Sequence, residues 1–561
     1  MDEDLNLLKR AKYRFIYDIV QQVNNMCSGV GTVLILDEVS AKIINTFITM
    51  AELTENGIVV VENINRKRKD YPNFRAIYFL VPEKRNFEII QDDFSNKSVK
   101  YANLHIFFTK KVPNEEVGYL KSMSFIQRTM TMKEVNLHVN LFNDHCFELY
   151  DQVNKTEVHV DALISILSHI EQINSVEVIR LANSLHKESE TLSKLLDYRI
   201  KELLPYIIKD GTDNVKLFIF DRNVDLVTPL THNFHYECLL TDLLNDFKLS
   251  QKSPDFVYKK YRHKFIKDCI LGIGSDFERF LEENPVARIQ RNNDHDVNMD
   301  KMGILIRGMN EYNEYVKTYE LHLEYIKLLN NEVGQKGAKE LTDLEYTLIT
   351  GVDEYGEAVD TATRVDTGQK YLDSHEGEKS QQIRLLLILH GSLYKDFSSR
   401  LTAIEDPVFR DIFNKYIQLV ANYGKYWPEK EKENLKKMTK DRYQIVDSSL
   451  QRYISKVEYI VSHYLKQGKS DMFETSCYGE KSSKLPKSVK SLFKGNINLG
   501  KAKRSNRNYV IIYILGGISF AEIQALKNLE TTLGQNWFFL FGGDKILNSN
   551  SFIEWINRVN V

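Results

Sequence analysis

Five short runs of almost uninterrupted apolar residues, all early in the chain, constrain this fold more than any other feature. They are TVLILD (Thr32 to Asp37), GIVVVE (Gly57 to Glu62), AIYFLV (Ala76 to Val81), NLHIFF (Asn103 to Phe108) and VNLHVNLF (Val135 to Phe142). A strand with one face in water alternates apolar and polar residues; continuous apolarity fits a strand covered on both faces. Helical segments separate the runs, so the pattern predicts a parallel sheet with helices on both sides.

A second sheet is expected to begin near Val215 with KLFIFD, and Val160 to Leu204 reads as one long helical stretch ended by Pro205, which cannot continue a helix. From about 250 to 480 helical periodicity dominates. Tyr312, Tyr315, Tyr319, Leu323, Ile326 and Leu329 recur at three- and four-residue steps, an aromatic stripe on one helix face that also reads as plain core. The stretch from there to about 380, rich in Gly, Asp and Thr, reads as a loop, and amphipathic helices follow between Gln381 and Leu465. Strands return in YVIIYILGG (Tyr509 to Gly517) and NWFFLFGGD (Asn536 to Asp544), each followed by a helix. Two α/β segments flanking a helical insert predict one sheet domain interrupted by that insert.

Length and composition narrow the class. At about 150 residues per domain, 561 residues predict three or four domains. Net charge is −2, so no global field draws the chain to nucleic acid or membrane. Five scattered cysteines without a CxxC pair argue against a disulfide framework or structural zinc and fit a reducing compartment. The acidic start, MDEDLNLLKR, lacks the pattern of a signal peptide, and the longest apolar stretch is half the ~20 residues a membrane span needs. A cytoplasmic location is therefore expected. Lys481 to Arg507 carries nine Lys or Arg residues and no acid, which reads either as a solvated linker or as a contact for a membrane surface or acidic partner.

No catalytic pattern survives weighing. GNINLGKA (Gly495 to Ala502) approaches a phosphate-binding loop but has Ala where a hydroxyl should hold magnesium. Gly516–Gly517 follows a strand and opens a helix, where tight packing or phosphate binding are alternatives. Asp37 and Asp221 close apolar strands, the place where open α/β sheets bind ligands. A phosphoryl-transfer or nucleotide-binding enzyme using Asp221 is the alternative this allows. Its usual partner carboxylate two residues on is missing, and Arg222 and Asp225 suggest an ion-pair and capping cluster instead. His232 and His235 form HxxH without the intervening Glu of zinc proteases.

The string LFIFDRNVDLVTPLTHNFHYECLLTDLL (Leu217 to Leu244) resembles a hallmark of the SM family, the Sec-one/Munc-eighteen regulators of SNARE-driven membrane fusion. Its D-R-x-x-D, Thr-Pro, His, aromatic and D-L-L places are here Asp221, Arg222, Asp225, Thr228, Pro229, His232, Tyr236 and Asp242 to Leu244. VLILDEVSAKII, ENGIVVVENINRKRKDYPNFRAIYFLVP, LEYTLITGVDEYGEAV and YVIIYILGGISFAEIQAL are similar to further family segments, so the resemblance spans nearly the whole chain, and its first domain looks closest to the plasma-membrane secretory branch.

The resemblance implies an arch-shaped α/β molecule of three domains. These are 1–140, a discontinuous second domain of 141–248 and 505–561, and a mainly helical third, 249–504, with a hairpin near 300–345. It implies a non-enzymatic, monomeric protein without cofactor or metal, acting in vesicle docking and exocytosis. Such a protein binds a syntaxin-type SNARE and the assembled SNARE complex and associates peripherally with the plasma membrane or secretory vesicles.

Carried over, Asp37, Lys42, Glu62, Asn65 and Arg66 fall where the first domain contacts syntaxin, with Lys42 replacing an Arg. Val117, Thr129, Met132 and Glu134 fall where some members hold syntaxin's N-terminal peptide, with Val117 in place of Phe. Leu323 falls at a vesicle-SNARE contact, and Asn310 replaces a Pro of a close relative, so the hairpin helix is expected to extend more readily. Each of these residues also reads as ordinary helix surface or core.

Overall fold

The computed structural model describes residues 6–26, 31–95, 99–150, 156–182, 187–207, 211–244, 247, 249–251, 254–291, 299–374, 379–393, 406–423, 429–479 and 507–559. The basic stretch 481–506 and GNINLGKA lie outside them. The chain forms two compact units: Met1–Asp221 with Lys469–Ile518 and Leu533–Ile546, and Arg222–Gly468 with Ser519–Thr532 and Leu547–Val561.

The first unit holds two sheets. One contains β1 (Thr32–Leu36), β2 (Ile58–Asn63), β3 (Tyr71–Leu80), β4 (Tyr101–Phe108) and β5 (Thr129–Glu134), in the order β2-β1-β3-β4-β5. All its pairings are parallel, as the apolar runs predict. Every residue of β1 is buried, its two faces feeding two separate apolar clusters.

The second sheet contains β6 (Asn140–Leu141), β7 (Cys146–Glu148), β8 (Ile173–Leu181), β9 (Asp213–Asp221), β10 (Phe473–Gly479), β11 (Asn508–Leu515) and β12 (Trp537–Gly543). Its order is β10-β8-β9-β11-β12-β7-β6, with β10 and β6 antiparallel to their neighbours. The second unit is mainly helical and includes Met299–Gln335 and Ala338–Thr350, a helical hairpin.

Four sequence expectations are corrected. The fifth strand of the first sheet is not Val135 to Phe142 but Thr129–Glu134, which was hidden because an edge strand with mostly exposed residues lacks continuous apolarity. The stretch 160–204 contains β8 rather than one helix. Its Glu177, opposite Lys216 in the register, forms an ion pair at 3.0 Å, so a charge is tolerated inside the sheet. The helix Lys187–Ile207 runs on through Pro205. The supposed loop before 380 contains Ala338–Thr350 and Thr361–Ser374. The residues that suggested a loop are their caps. Gly337 and Gly351 bracket the first helix with φ of 53° and 73°, and the Asp360 carboxylate accepts the N–H groups of Ala362 and Thr363 at 2.8 and 3.0 Å.

Gly516 and Gly517 have φ of 91° and 103°, and a Cβ at Gly543 would come within 2.8 Å of the Gly517 Cα. The glycines allow backbone to approach backbone, the tight-packing alternative.

Candidate functional site

The carboxyl ends of β1 and β2 open onto a surface groove of about 460 Å³ lined by Leu36, Ala41, Val61, Glu62, Asn63, Arg66, Lys67 and Arg68. Asp37 begins the helix Glu38–Ile44 in a reciprocal cap with Ser40. Its Oδ1 accepts the Ser40 N–H at 2.7 Å, and its Oδ2 accepts the Val81 N–H at 2.6 Å and the Asn86 side chain at 3.0 Å. Asp37 is buried, so its carboxylate ties β1, the helix and the end of β3 together from within. Lys42 is exposed on the last turn of that helix, and Asn65 and Arg66 are exposed in the turn after β2.

Glu62 is half-buried and accepts the Tyr101 hydroxyl at 3.1 Å. Tyr101 in turn adjoins the buried Arg68–Asp93 pair (2.6 Å), to which the Tyr78 hydroxyl donates at 2.8 Å. One groove wall thus stands on a buried polar network, which fixes Glu62 more firmly than a lone surface acid. Asn63 and Lys67 line the groove too and were missed; the RKRK run after β2 was the available signal.

A second surface gathers Thr129, Met132 and Glu134 on the edge strand β5. Strict alternation would put Thr129 opposite the other two, but the register skips a residue: Leu104 pairs with Thr129 and His105 with Thr131. That bulge at Met130 restores the face, so Thr129, Met132 and Glu134 stand beside Leu104, Ile106 and Phe108. The helix Asn114–Ser122 packs Val117 against the cluster containing these three apolar residues. Glu134 accepts the Val112 N–H at 2.9 Å, joining β5 to the segment before the helix. The structure thus brings the four residues to one side of the sheet.

In the second unit, Met299–Gln335 is helical straight through Asn310, as the absent Pro predicts. The aromatic stripe is core: Phe280 stacks on Tyr312 and Tyr315 with ring centres 5.9 and 5.2 Å away, and Phe277 stacks on Tyr319 at 5.0 Å. Leu323 is partly buried against this cluster.

The block from Asp221 onward is committed internally. Asp221 accepts the Ser189 N–H and hydroxyl at 3.0 and 2.8 Å. In the second unit Arg222 makes a two-pronged pair with Glu522, both residues fully buried, and donates to the Asp225 carbonyl at 2.6 Å. Burial alone would lower the Arg222 pKa, but the charge and hydrogen bond of Glu522 outweigh it and hold it above the ordinary value. Asp225 accepts the N–H groups of Val227 (3.1 Å), Thr228 (2.9 Å) and Lys456 (3.0 Å), fixing the turn that Pro229 continues. His232 meets Glu345 at 2.8 Å, and His235 meets Asn233 at 2.6 Å. No group of three metal-ligating side chains exists among the described residues, and no helix there is long and apolar enough to cross a membrane. Asp221 therefore reads as a brace, and nothing in this geometry favours the enzyme alternative.

Comparison with known proteins agrees with the motif. The chain is 23% identical to Protein transport protein sec1 of Dictyostelium discoideum, over 98% of both chains. The fold matches that of the Unc18 chain in the Unc18–syntaxin 1 complex of Monosiga brevicollis with a TM-score of 0.76 and 18% identity, covering 99% of each chain. It also matches Sly1p, solved with an N-terminal peptide of Sed5p, with a TM-score of 0.68 and 17% identity over 100% of this chain and 99% of that one. These likenesses bear out the expected fold, two parallel-sheet regions with a large helical part. The model of the Sec1 family matches residues 32–555, nearly the whole chain, and the protein belongs to the Sec1 family.

Proposed function

We propose that this chain is a cytoplasmic, non-enzymatic SM-type regulator of vesicle docking and fusion in exocytosis that binds a syntaxin-type SNARE. The observation that carries this reading is family membership across 32–555. The groove at the ends of β1 and β2 supports it, because a charged open rim on a rigid sheet suits protein recognition in which a few anchors dominate and rim charges set rate and specificity. In this reading Lys42, Glu62, Asn65 and Arg66 contact syntaxin while Asp37 holds the groove in shape from below. Val117, Thr129, Met132 and Glu134 receive the syntaxin N-terminal peptide; Val offers it less apolar surface than Phe. Leu323 on the hairpin meets the vesicle SNARE, so the hairpin templates SNARE pairing. Residues 1–140 form the syntaxin-binding domain, 141–248 with 505–561 the second, and 249–504 the third. The protein is a monomer held at the plasma membrane or secretory vesicles through its partners.

The test is calorimetry against a panel of syntaxin cytoplasmic domains, each with and without its N-terminal peptide. Tight binding to one syntaxin is expected, weakened about tenfold by Arg66→Glu without a change in melting temperature. Failure to bind any syntaxin or a preassembled SNARE bundle overturns the reading.

A further inference from the structure

The second unit contains a cavity that syntaxin recognition does not use. It has about 190 Å³ of space and is lined by residues from several elements, among them Arg364, Ser392, Lys432, Lys436 and Lys456. Arg364 comes from the helix Thr361–Ser374, Lys432 and Lys436 from Glu429–Tyr443, and Lys456 from the first residue of Lys456–Gln467. Four cations therefore converge from three helices, and the single carboxylate in the lining is Asp225.

The Asp225 carboxylate is occupied by neutral donors. Its Oδ1 accepts the Val227 and Thr228 N–H groups, and its Oδ2 accepts the Lys456 backbone N–H and the Thr228 hydroxyl. Arg364 is held by neutral groups: its Nη1 donates to the Leu348 carbonyl at 2.9 Å and its Nη2 to the Thr361 hydroxyl at 3.1 Å. The Arg364 Nε and the Ser392 Oγ are both buried without a hydrogen-bond partner, and buried polar atoms of this kind are uncommon in a finished fold. Lys432 and Lys436 stand one helical turn apart and both line the cavity.

We infer that this cavity binds a compact phosphorylated polyol. A phosphoryl group carries close to two negative charges and several acceptor oxygens, which suits two lysines as point charges, the Arg364 N–H and the Ser392 hydroxyl. The volume equals that of about six water molecules, enough for one phosphoryl group and part of a small ring, and too little for an enclosed nucleotide. The same headgroup chemistry occurs free in solution and on lipids.

Two soluble and two membrane probes test this with the full chain: inositol trisphosphate against unphosphorylated inositol, and vesicles carrying phosphatidylinositol bisphosphate against phosphatidylserine vesicles of equal charge. Inositol trisphosphate is expected to bind by calorimetry and to raise the melting temperature. The double variant Lys432→Gln/Lys436→Gln should weaken that binding about tenfold. The matched control Lys437→Gln/Lys440→Gln removes the same charge from the same helix outside the cavity and should leave binding unchanged. Ser392→Ala should weaken it about threefold, a loss that surface charge alone does not explain. Vesicle binding that follows the same variants and prefers the phosphorylated lipid makes the source a membrane; binding of the soluble probe alone makes it a free metabolite. Absence of binding to either phosphorylated probe, or equal losses in the two double variants, overturns the proposal.

Discussion

The Asp221–Leu244 block and the groove at the ends of β1 and β2 make opposite uses of similar residues. In the block, charged and polar side chains face inward and are paired: Arg222 with Glu522, His232 with Glu345, and Asp242 with Arg384 at 2.8 Å. In the groove, Arg66 and Lys67 are exposed and Glu62 shows only part of its surface, and Lys42 and Asn65, outside its lining, are exposed as well. The block is the most recognisable stretch of the sequence and the groove one of the least. Recognisability here follows constraint from packing: a buried ion pair admits few substitutes, whereas a rim residue on a solvated turn admits many.

The sharpest way to break this comparison is Glu522→Gln. Leaving Arg222 buried without its counter-ion is expected to cost about 3–5 kcal/mol, read as a lower midpoint in denaturant unfolding. The double replacement Arg222→Met/Glu522→Met should recover much of that loss, because two apolar groups fill the space without an orphaned charge. A single-variant loss below about 1 kcal/mol would place the block among ordinary surfaces.

Asp37→Ala is next. It removes a helix cap and leaves the Val81 N–H and the Asn86 amide without their acceptor, an expected loss of about 2–3 kcal/mol in thermal unfolding. Syntaxin binding should weaken alongside stability, whereas in Arg66→Glu it should weaken alone. Equal stability losses in the two would erase the distinction between brace and rim.

Acid titration probes buried histidines in each unit. Burial pushes the His235 imidazole down to about 4, and burial with Lys110 nearby pushes His138 down to about 3. Both stay neutral in the folded chain while the unfolded chain protonates them near pH 6.5, so the unfolded state binds more protons in between. Stability is therefore expected to fall as pH drops from 7 to 5, by about 2 kcal/mol per histidine. His235→Gln should flatten the slope for the unit that holds the block. An unchanged slope would show that His235 is not buried neutral.

The smallest expected effect is on the rim itself. Lys42→Ala, Asn65→Ala and Arg66→Ala should each shift stability by no more than about 0.5 kcal/mol in the same unfolding assay.

Where two faces of a strand were buried, the sequence was legible. β1, β4, β11 and β12 announced themselves because each carries an unbroken run of at least five buried positions, and a core tolerates little besides apolar side chains. β5 and β10, both edge strands, did not, since one neighbour and one covered face leave most positions to solvent chemistry. β8 was missed for a different reason: Glu177 is neutralised by Lys216 from the neighbouring strand, a partner far along the chain. Among the site residues, Asp37 looked like a strand-end ligand position. Only the positions of Val81 and Asn86 reveal why its carboxylate is occupied.

By itself the sequence determined the class of fold, the helical nature of the large insert and the family, because these rest on periodicity and on one long motif, properties local to the chain. The tertiary structure decided which polar residues serve the fold and which are offered outward. That choice depends on side chains brought together from distant segments: Glu522 onto Arg222, Tyr101 onto Glu62, and the bulge at Met130 that turns Thr129 to the side of Met132. Pairing, burial and strand register are relations between segments, and no single segment carries them.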